Sequence, residues 1–187
     1  PEPKDPRHYV ISLFSDTHAT AFGPHFVDRI NRDESELVVH LGDLIDVDSA
    51  AQWQIGAAHV AMLTKPYLIT PGNHEAMGSG SLANYYSRFG PAIYTMEYGN
   101  ALLISLNTAF GQSISASDPT QFDYLERVLQ TETAGKEQII VFTHNPTRDP
   151  FGTAHEMLYA DAVRLEKILS AFKKAHPDKA VTVLFGH

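Results

Sequence analysis

Five short stretches of this chain hold residue types that bind cations and move protons. They are Asp16-Thr17-His18, Gly42-Asp43-Leu44-Ile45-Asp46, Gly72-Asn73-His74-Glu75, His144 and Gly186-His187. Together they offer carboxylates, an amide oxygen and imidazoles, and no thiolate, since the sequence has no cysteine. Oxygen-only cages suit Ca²⁺ and Mg²⁺, whereas mixed carboxylate, amide and imidazole donors suit borderline ions such as Mn²⁺, Fe and Zn²⁺. Taken singly, each stretch also has a structural explanation. Asp16 and Asp43 could cap helices, and Gly72-Asn73 could form a turn, since both residue types accept positive φ. His144, ahead of Asn145-Pro146, could be a loop histidine bonded to backbone. Their shared placement gives the set its weight, because each follows a short apolar run.

Those runs are the elements that must position the chemistry. His8–Ser15, Leu37–Leu41, Tyr67–Ile69, Ile139–Thr143 and Ala180–Phe185 read as buried strands, and each delivers one of the stretches from its carboxyl end. In an open α/β sheet such ends share one edge, where ligands bind. Helices are expected over His25–Arg32, from an N-cap at Ser49 through Leu63, and over Leu82–Phe89, closed by Gly90-Pro91. Another should start at Asp118-Pro119, with Gln121 placed for a capping box. A last helix carries Leu165, Ile168, Leu169 and Phe172 and ends at His176-Pro177. Tyr94–Tyr98 and Ala101–Leu106 flank Gly99-Asn100 as an antiparallel hairpin, so the sheet system is expected to be mixed. The order of strands and helices over 187 residues describes an α/β layered domain.

Composition narrows the classes of function. A formal net charge of −8 argues against a broad nucleic-acid-binding face, which needs basic residues. No window is apolar enough for a membrane-spanning segment. Without cysteine there is no thiol nucleophile and no disulfide, and the compartment stays open between cytoplasmic and secreted. Residues 1–7, proline-rich and charged, are expected to be linker-like, with the domain over residues 8–187. The absence of an initial Met and the end directly off an apolar strand suggest a piece of a longer protein.

As an ordered set, Asp16-x-His18, Gly42-Asp43-x-x-Asp46, Gly72-Asn73-His74-Glu75, His144 and Gly186-His187 resemble the five blocks of the calcineurin-like metallophosphoesterases. The resemblance covers nearly the whole chain. Asp46 and His144-Asn145-Pro146 look most like the compact cyclic-nucleotide-phosphodiesterase type. Asp16-Thr17-His18 departs from the purple acid phosphatases, which share the Gly-Asn-His-Glu block but use a different first motif.

The resemblance implies a four-layer αββα sandwich with two mixed sheets, its closing C-terminal strands missing here. It implies two metal ions (Mn, Fe or Zn), with Asp16 and His18 on the first, Asp43 bridging, and Asn73, His144 and His187 on the second. A hydroxide shared by the two cations would be the nucleophile. His74 would be the general acid, oriented by Glu75 or a neighbouring carboxylate. The expected reaction is hydrolysis of a small phosphoester, with a diester favoured. Alternatives are a phosphomonoesterase or protein phosphatase, and a non-catalytic metal-binding or scaffold domain of a larger protein. The family's last block is Gly-His-x-His, and this chain stops at the first His, so its first metal is expected to bind weakly.

Other positions are secondary. Asp46 is either a carboxylate supporting a metal-bound histidine or an N-cap. His40 could orient another ligand but reads first as a satisfied core histidine, and Asn107-Thr108 reads as supporting a ligand or as structural. Arg148 could reach a substrate phosphate or form a surface ion pair. His8, His25, His59, His155 and His176 read as surface or packing residues, although His25 and His155 lie on loops able to line a cleft. The segment Asn145–Ala160 is a long loop suited to a substrate wall. Tyr85 and Tyr86 read as helix packing before substrate stacking.

Overall fold

The computed structural model describes all residues 1–187. Two sheets form. In the first, β1 (Ile11–Phe14), β2 (Leu37–His40) and β3 (Tyr67–Ile69) lie in that order. The second has the order β4 (Tyr94–Tyr98), β5 (Ala101–Ser105), β6 (Gln138–Thr143), β7 (Ala180–Phe185). The helices are α1 (Gly23–Arg32), α2 (Ala50–Ala61), α3 (Ala83–Phe89), α4 (Ile114–Ser117), α5 (Gln121–Thr131) and α6 (Tyr159–Ala175).

Alternation along the strands explains the layering. In β5 and β6, Leu102, Ile104, Ile139 and Val141 pack on Phe122, Leu125, Leu165 and Leu169 of α5 and α6. Residues of opposite parity on those strands, Ala101, Leu103 and Phe142, meet Leu37 and Val39 of β2 across the space between the sheets. Beyond the first sheet, Trp53 and Val60 of α2 join Ile69 and Tyr85 in a third cluster. Three apolar interfaces therefore separate helices, sheet, sheet and helices, the four-layer arrangement expected. Of the two sheets expected to be mixed, only one is: the three-stranded sheet is parallel throughout, since its strands are joined by helical crossovers. The antiparallel pairing is confined to the β4–β5 hairpin of the other sheet.

Parallel pairing puts the carboxyl ends of β1, β2 and β3 side by side, in the register Phe14↔His40 and His40↔Ile69. It does the same for β6 and β7, where Thr143 pairs with Phe185. All five chemistry-bearing stretches thus emerge on one edge.

Several local expectations change. β1 starts at Ile11 rather than His8, because Tyr9 leaves the strand direction. Its hydroxyl donates to Asn100 Oδ1 at 2.9 Å and its ring packs edge-on against Tyr98. The linker-like start is seated on the same hairpin turn, where the Asn100 amide donates to the Pro6 carbonyl at 2.8 Å. Ser49 does cap α2, accepting from the Gln52 amide. The capping box at Asp118 does not form. Helix α5 begins at Gln121, and its buried side chain accepts from the Asn107 amide and donates to the carbonyls of Asn107 and Ile114. Three buried backbone groups outweigh one exposed cap. The short α4 has no hydrophobic period to announce it; Ser113 caps it and Asp161 of α6 accepts from Ser113 and Ser115.

Candidate metal centre

The loops that follow the strands are held in uncommon backbone conformations. Asp16, His18, Asp43 and His187 all have positive φ, from 48° to 70°. Such a conformation is disfavoured for residues with a Cβ and persists where surrounding contacts over-determine it. Two glycines allow the loops to close on one another. A Cβ at Gly72 would lie 2.1 Å from Asp43 Oδ1, and one at Gly42 would lie 2.6 Å from His144 Nδ1.

Glu75 supplies much of the over-determination. The resemblance offered it as a partner that orients His74, and the structure corrects this. Its fully buried carboxylate accepts from the backbone amides of Gly72 (2.6 Å), Asp43 (2.9 Å), Leu44 (2.7 Å) and Ile45 (3.3 Å). It thereby staples the Gly-Asn-His-Glu loop to the Gly-Asp loop. Burial and the neighbouring Asp43 raise its pKa against the pull of those amides. His40 makes a second staple, as a buried core residue should. Its Nδ1 accepts from the Gly42 amide at 3.2 Å and its Nε2 faces Thr17 Oγ1 at 3.3 Å, tying the first two loops. Burial pushes the His40 imidazole down to about 3, aided by His144.

The site itself converges on Asp43, which is almost wholly buried. Its Oδ2 lies 3.0 Å from His144 Nε2, 3.8 Å from His74 Nε2, 3.9 Å from His187 Nδ1 and 4.0 Å from His18 Nε2. Two sets of donors share it. Asp16, Asp43, His144 and His187 bring one atom each within 4.8 Å of one another, and so do His18, Asp43 and His74. Asp16 stands between the sets: its Oδ1 is 3.9 Å from His18 Nε2, and its Oδ2 accepts from the His187 amide at 2.9 Å. Every predicted site residue except Asn73 is thus in one set or the other. Asn73 shares the Gly72–Glu75 loop with His74, and its Oδ1 is buried without a hydrogen-bond partner.

The proton inventory shows whether cations fit. His144 Nδ1–H donates to the Leu41 carbonyl at 2.7 Å, so a neutral His144 presents a bare lone pair at Nε2. That lone pair faces the Asp43 carboxylate at 3.0 Å and His187 Nδ1 at 2.8 Å. Two electron-rich atoms at that distance require a positive charge between them, either a proton or a metal ion. As a protonation problem it appears as a His144 pKa raised by Asp43 in spite of burial. The Asp43 carboxyl is correspondingly pulled below the usual range by hydrogen bonds from His144 and His187, although burial opposes this. Asn73 Oδ1 and His187 Nε2 are buried and unpartnered as well. The close approach of Asp43, His144 and His187 and the buried unpartnered oxygen of Asn73 are what cation-binding residues present, so the residues fit a metal site.

Above these donor groups lies a cleft of about 210 Å³ lined by Asp16, His18, Asp43, His74, His155 and His187. Larger concavities, about 640 and 650 Å³, run along α6 away from these residues. His155 was not singled out in the sequence beyond lying on a suitable loop, and no spacing rule would have found it. His25 lies on α1, outside the cleft lining. Asp46 is not an N-cap: its carbonyl accepts from His74 Nδ1–H at 2.6 Å, and its carboxylate is 3.5 Å from His18 Nδ1. Arg148 pairs with Glu166 on the surface, at 3.1 and 3.2 Å. Tyr85 packs as expected, its buried hydroxyl donating to the Ile69 carbonyl. Asn107 and Thr108 are buried and accept from the amides of Ala109 and Asn145.

The calcineurin-like phosphoesterase family model matches residues 9–187. Comparison with curated protein sequences gives no match. Among solved structures, the chain is similar to purple acid phosphatase PPD1 from yellow lupin (Lupinus luteus) seeds, at 17% identity and TM-score 0.69. That similarity covers 99% of this chain and 39% of the lupin chain. A dimetal phosphatase from Danio rerio gives 15% identity and TM-score 0.67, over 94% of this chain and 79% of that one. GAP50, the anchor in the inner membrane complex of Plasmodium, gives 12% identity and TM-score 0.61, over 87% and 62%. These likenesses establish the fold.

Proposed function

We propose, from the premise that this chain belongs to the calcineurin-like phosphoesterase family, that its cleft hydrolyses a small phosphoester with two metal ions bound around Asp43. The observation that carries the reading is the close approach of His144 Nε2 to Asp43 Oδ2 while His144 Nδ1–H is committed to a carbonyl. Asp43 would bridge the ions, with Asp16 and His18 on one and Asn73, His144 and His187 on the other. Mn, Fe and Zn all suit that donor set. When bound, such a pair supplies Lewis-acid polarisation of phosphoryl oxygens and acidifies water toward neutral pH.

The chain's own groups do the rest. His74 is anchored through Nδ1–H on the Asp46 carbonyl, which leaves Nε2 on the cleft side, 3.8 Å from Asp43 Oδ2. With Nδ1–H on the Asp46 carbonyl, the imidazolium form carries a second hydrogen on Nε2, which passes to the departing alcohol oxygen and leaves the neutral ring, a step worth typically about 10²–10⁴-fold for a poor leaving group. Burial of Asp43 and His144 keeps water from competing for the ligand atoms. The cleft lining has no Lys or Arg. That favours a singly charged diester over a doubly charged monoester, which a fixed cation would help to hold. The presence together of Asp16, His18, Asp43, Asn73, His74 and His144 argues for catalysis over a purely anchoring role.

The test measures metal content and hydrolysis of bis(4-nitrophenyl) phosphate and 4-nitrophenyl phosphate after Mn²⁺, Fe²⁺ or Zn²⁺ loading. Two ions per chain at saturating metal, the one on Asp16 and His18 with fewer donors held more weakly, and faster turnover of the diester are expected, with both ions lost in Asp43→Asn. His74→Ala should keep its metal and lose roughly 10²–10⁴-fold on alkyl esters, far more than on nitrophenyl esters. A protein that binds none of these ions, or binds two and hydrolyses neither ester, overturns the reading.

A further inference from the structure

His155 is the one residue of the cleft lining that belongs to neither donor set and has no part in the proton transfer assigned to His74. Its ring stands perpendicular to that of His187, with centroids 4.8 Å apart, so it walls the same space from the side of the 145–158 loop. That loop has an internal framework that fixes the imidazole. Asp149 Oδ1 accepts from the Phe151 amide at 2.8 Å, and its Oδ2 from the Thr153 amide at 2.5 Å and the Thr153 hydroxyl at 2.6 Å. These bonds hold the Asp149 carboxyl well below its usual range. Ala154 is held at φ 62°, an uncommon conformation for alanine, and directs the chain into His155.

The hydrogen-bond chain has a fixed direction. The Thr153 hydroxyl proton goes to the Asp149 carboxylate, a stronger acceptor than a neutral ring nitrogen. Thr153 Oγ1, 2.8 Å from His155 Nδ1, therefore accepts, and Nδ1 carries the ring's proton. In the neutral imidazole the remaining atom, Nε2, is then an acceptor with no partner inside the protein. An acceptor does not suit phosphate oxygens, which only accept; it suits a hydroxyl hydrogen.

We infer that His155 is a substrate-contacting residue, held by the Asp149–Thr153 framework, whose Nε2 accepts a hydrogen bond from a hydroxyl on the alcohol portion of the substrate. The inference rests on the phosphoester reading of the cleft and narrows its substrate to esters of hydroxyl-bearing alcohols.

The probes are an isosteric pair, 2-hydroxyethyl phosphate and propyl phosphate, which differ by a hydroxyl in place of a methyl. Their binding to the Mn²⁺-loaded protein is measured by calorimetry, and the KM and kcat of their 4-nitrophenyl diesters by absorbance. The hydroxyl-bearing member should bind the wild type about three- to tenfold more tightly, the range one hydrogen bond supplies. His155→Phe should abolish that preference with the metal content unchanged. His155→Gln, which keeps an acceptor, should retain part of it. Asp149→Ala, which removes the framework and keeps the imidazole, should weaken it. Equal binding of the two phosphates by the wild type, no binding of either, or a preference that survives His155→Phe overturns the inference. A preference in binding without turnover of either diester overturns only the phosphoesterase reading.

Discussion

Glu75→Gln separates two roles that the Gly-Asn-His-Glu block leaves open. If Glu75 served His74, the amide would cost turnover alone. In the structure its two oxygens serve four backbone amides at 2.6–3.3 Å and do not bond His74. Glutamine keeps one oxygen and replaces the other with an NH₂ group, so two of the four N–H donors would face a donor. The side chain would settle with its oxygen toward Asp43 and Gly72, since the Ile45 contact, at 3.3 Å, is the weakest of the four. Each buried donor left unpaired costs about 1–3 kcal/mol. Against this stands a relief, because burial and Asp43 both disfavour the charge that glutamine removes. The net loss should be roughly 2–4 kcal/mol, a large share of the ~5–15 kcal/mol that holds a typical domain together.

The loss should also have a direction in space. The amides of Leu44 and Ile45 follow Asp43 directly, so freeing them loosens the turn that fixes the shared carboxylate. Urea unfolding without metal gives the stability change, and Mn²⁺ titration by calorimetry gives the affinity, expected to fall at least tenfold. A Glu75→Gln protein as stable as the wild type and with full metal affinity, defective only on alkyl esters, would refute the staple and return Glu75 to His74.

Two further predictions test the other supports of the site. His40 is held down to about 3, so the unfolded chain takes up its proton near the ordinary 6.5 while the folded chain refuses it. Stability from this group is complete above pH 6.5 and is lost as the pH falls toward 3, at up to about 1.4 kcal/mol per pH unit. Asp43, whose pKa is depressed, adds a loss in the same direction only below its ordinary value of 3.8. Unfolding free energies between pH 7 and 4 should therefore slope less in His40→Gln than in the wild type, and parallel slopes would remove His40 from the account. Gly72→Ala places a Cβ 2.1 Å from Asp43 Oδ1 and 2.7 Å from its amide nitrogen. That overlap should cost about 1–3 kcal/mol and lower Mn²⁺ affinity more than tenfold; a variant of wild-type affinity would show that the two loops can part without consequence.

What the sequence disclosed follows from which signals are local. Strand ends carrying Asp, Asn and His could be read because each apolar run is contiguous with its polar ending, and parallel pairing brings those endings together. The donors were legible for the same reason. Glu75 was misjudged because its partners, Asp43, Leu44 and Ile45, lie about thirty residues away and are backbone amides, which leave no mark on residue identity. Gln121 misled in a similar way: a residue placed for a cap three positions off was taken by backbone groups fourteen and seven positions away. For His155 the sequence offered only a loop able to line a cleft, since its place there depends on Asp149 bending the loop through Thr153. Side chains that bind ions can be read from their own identity, then, whereas those that hold the loops in place are identified only by what they touch. For this chain the second kind, Glu75 and His40, decides whether the first kind meets.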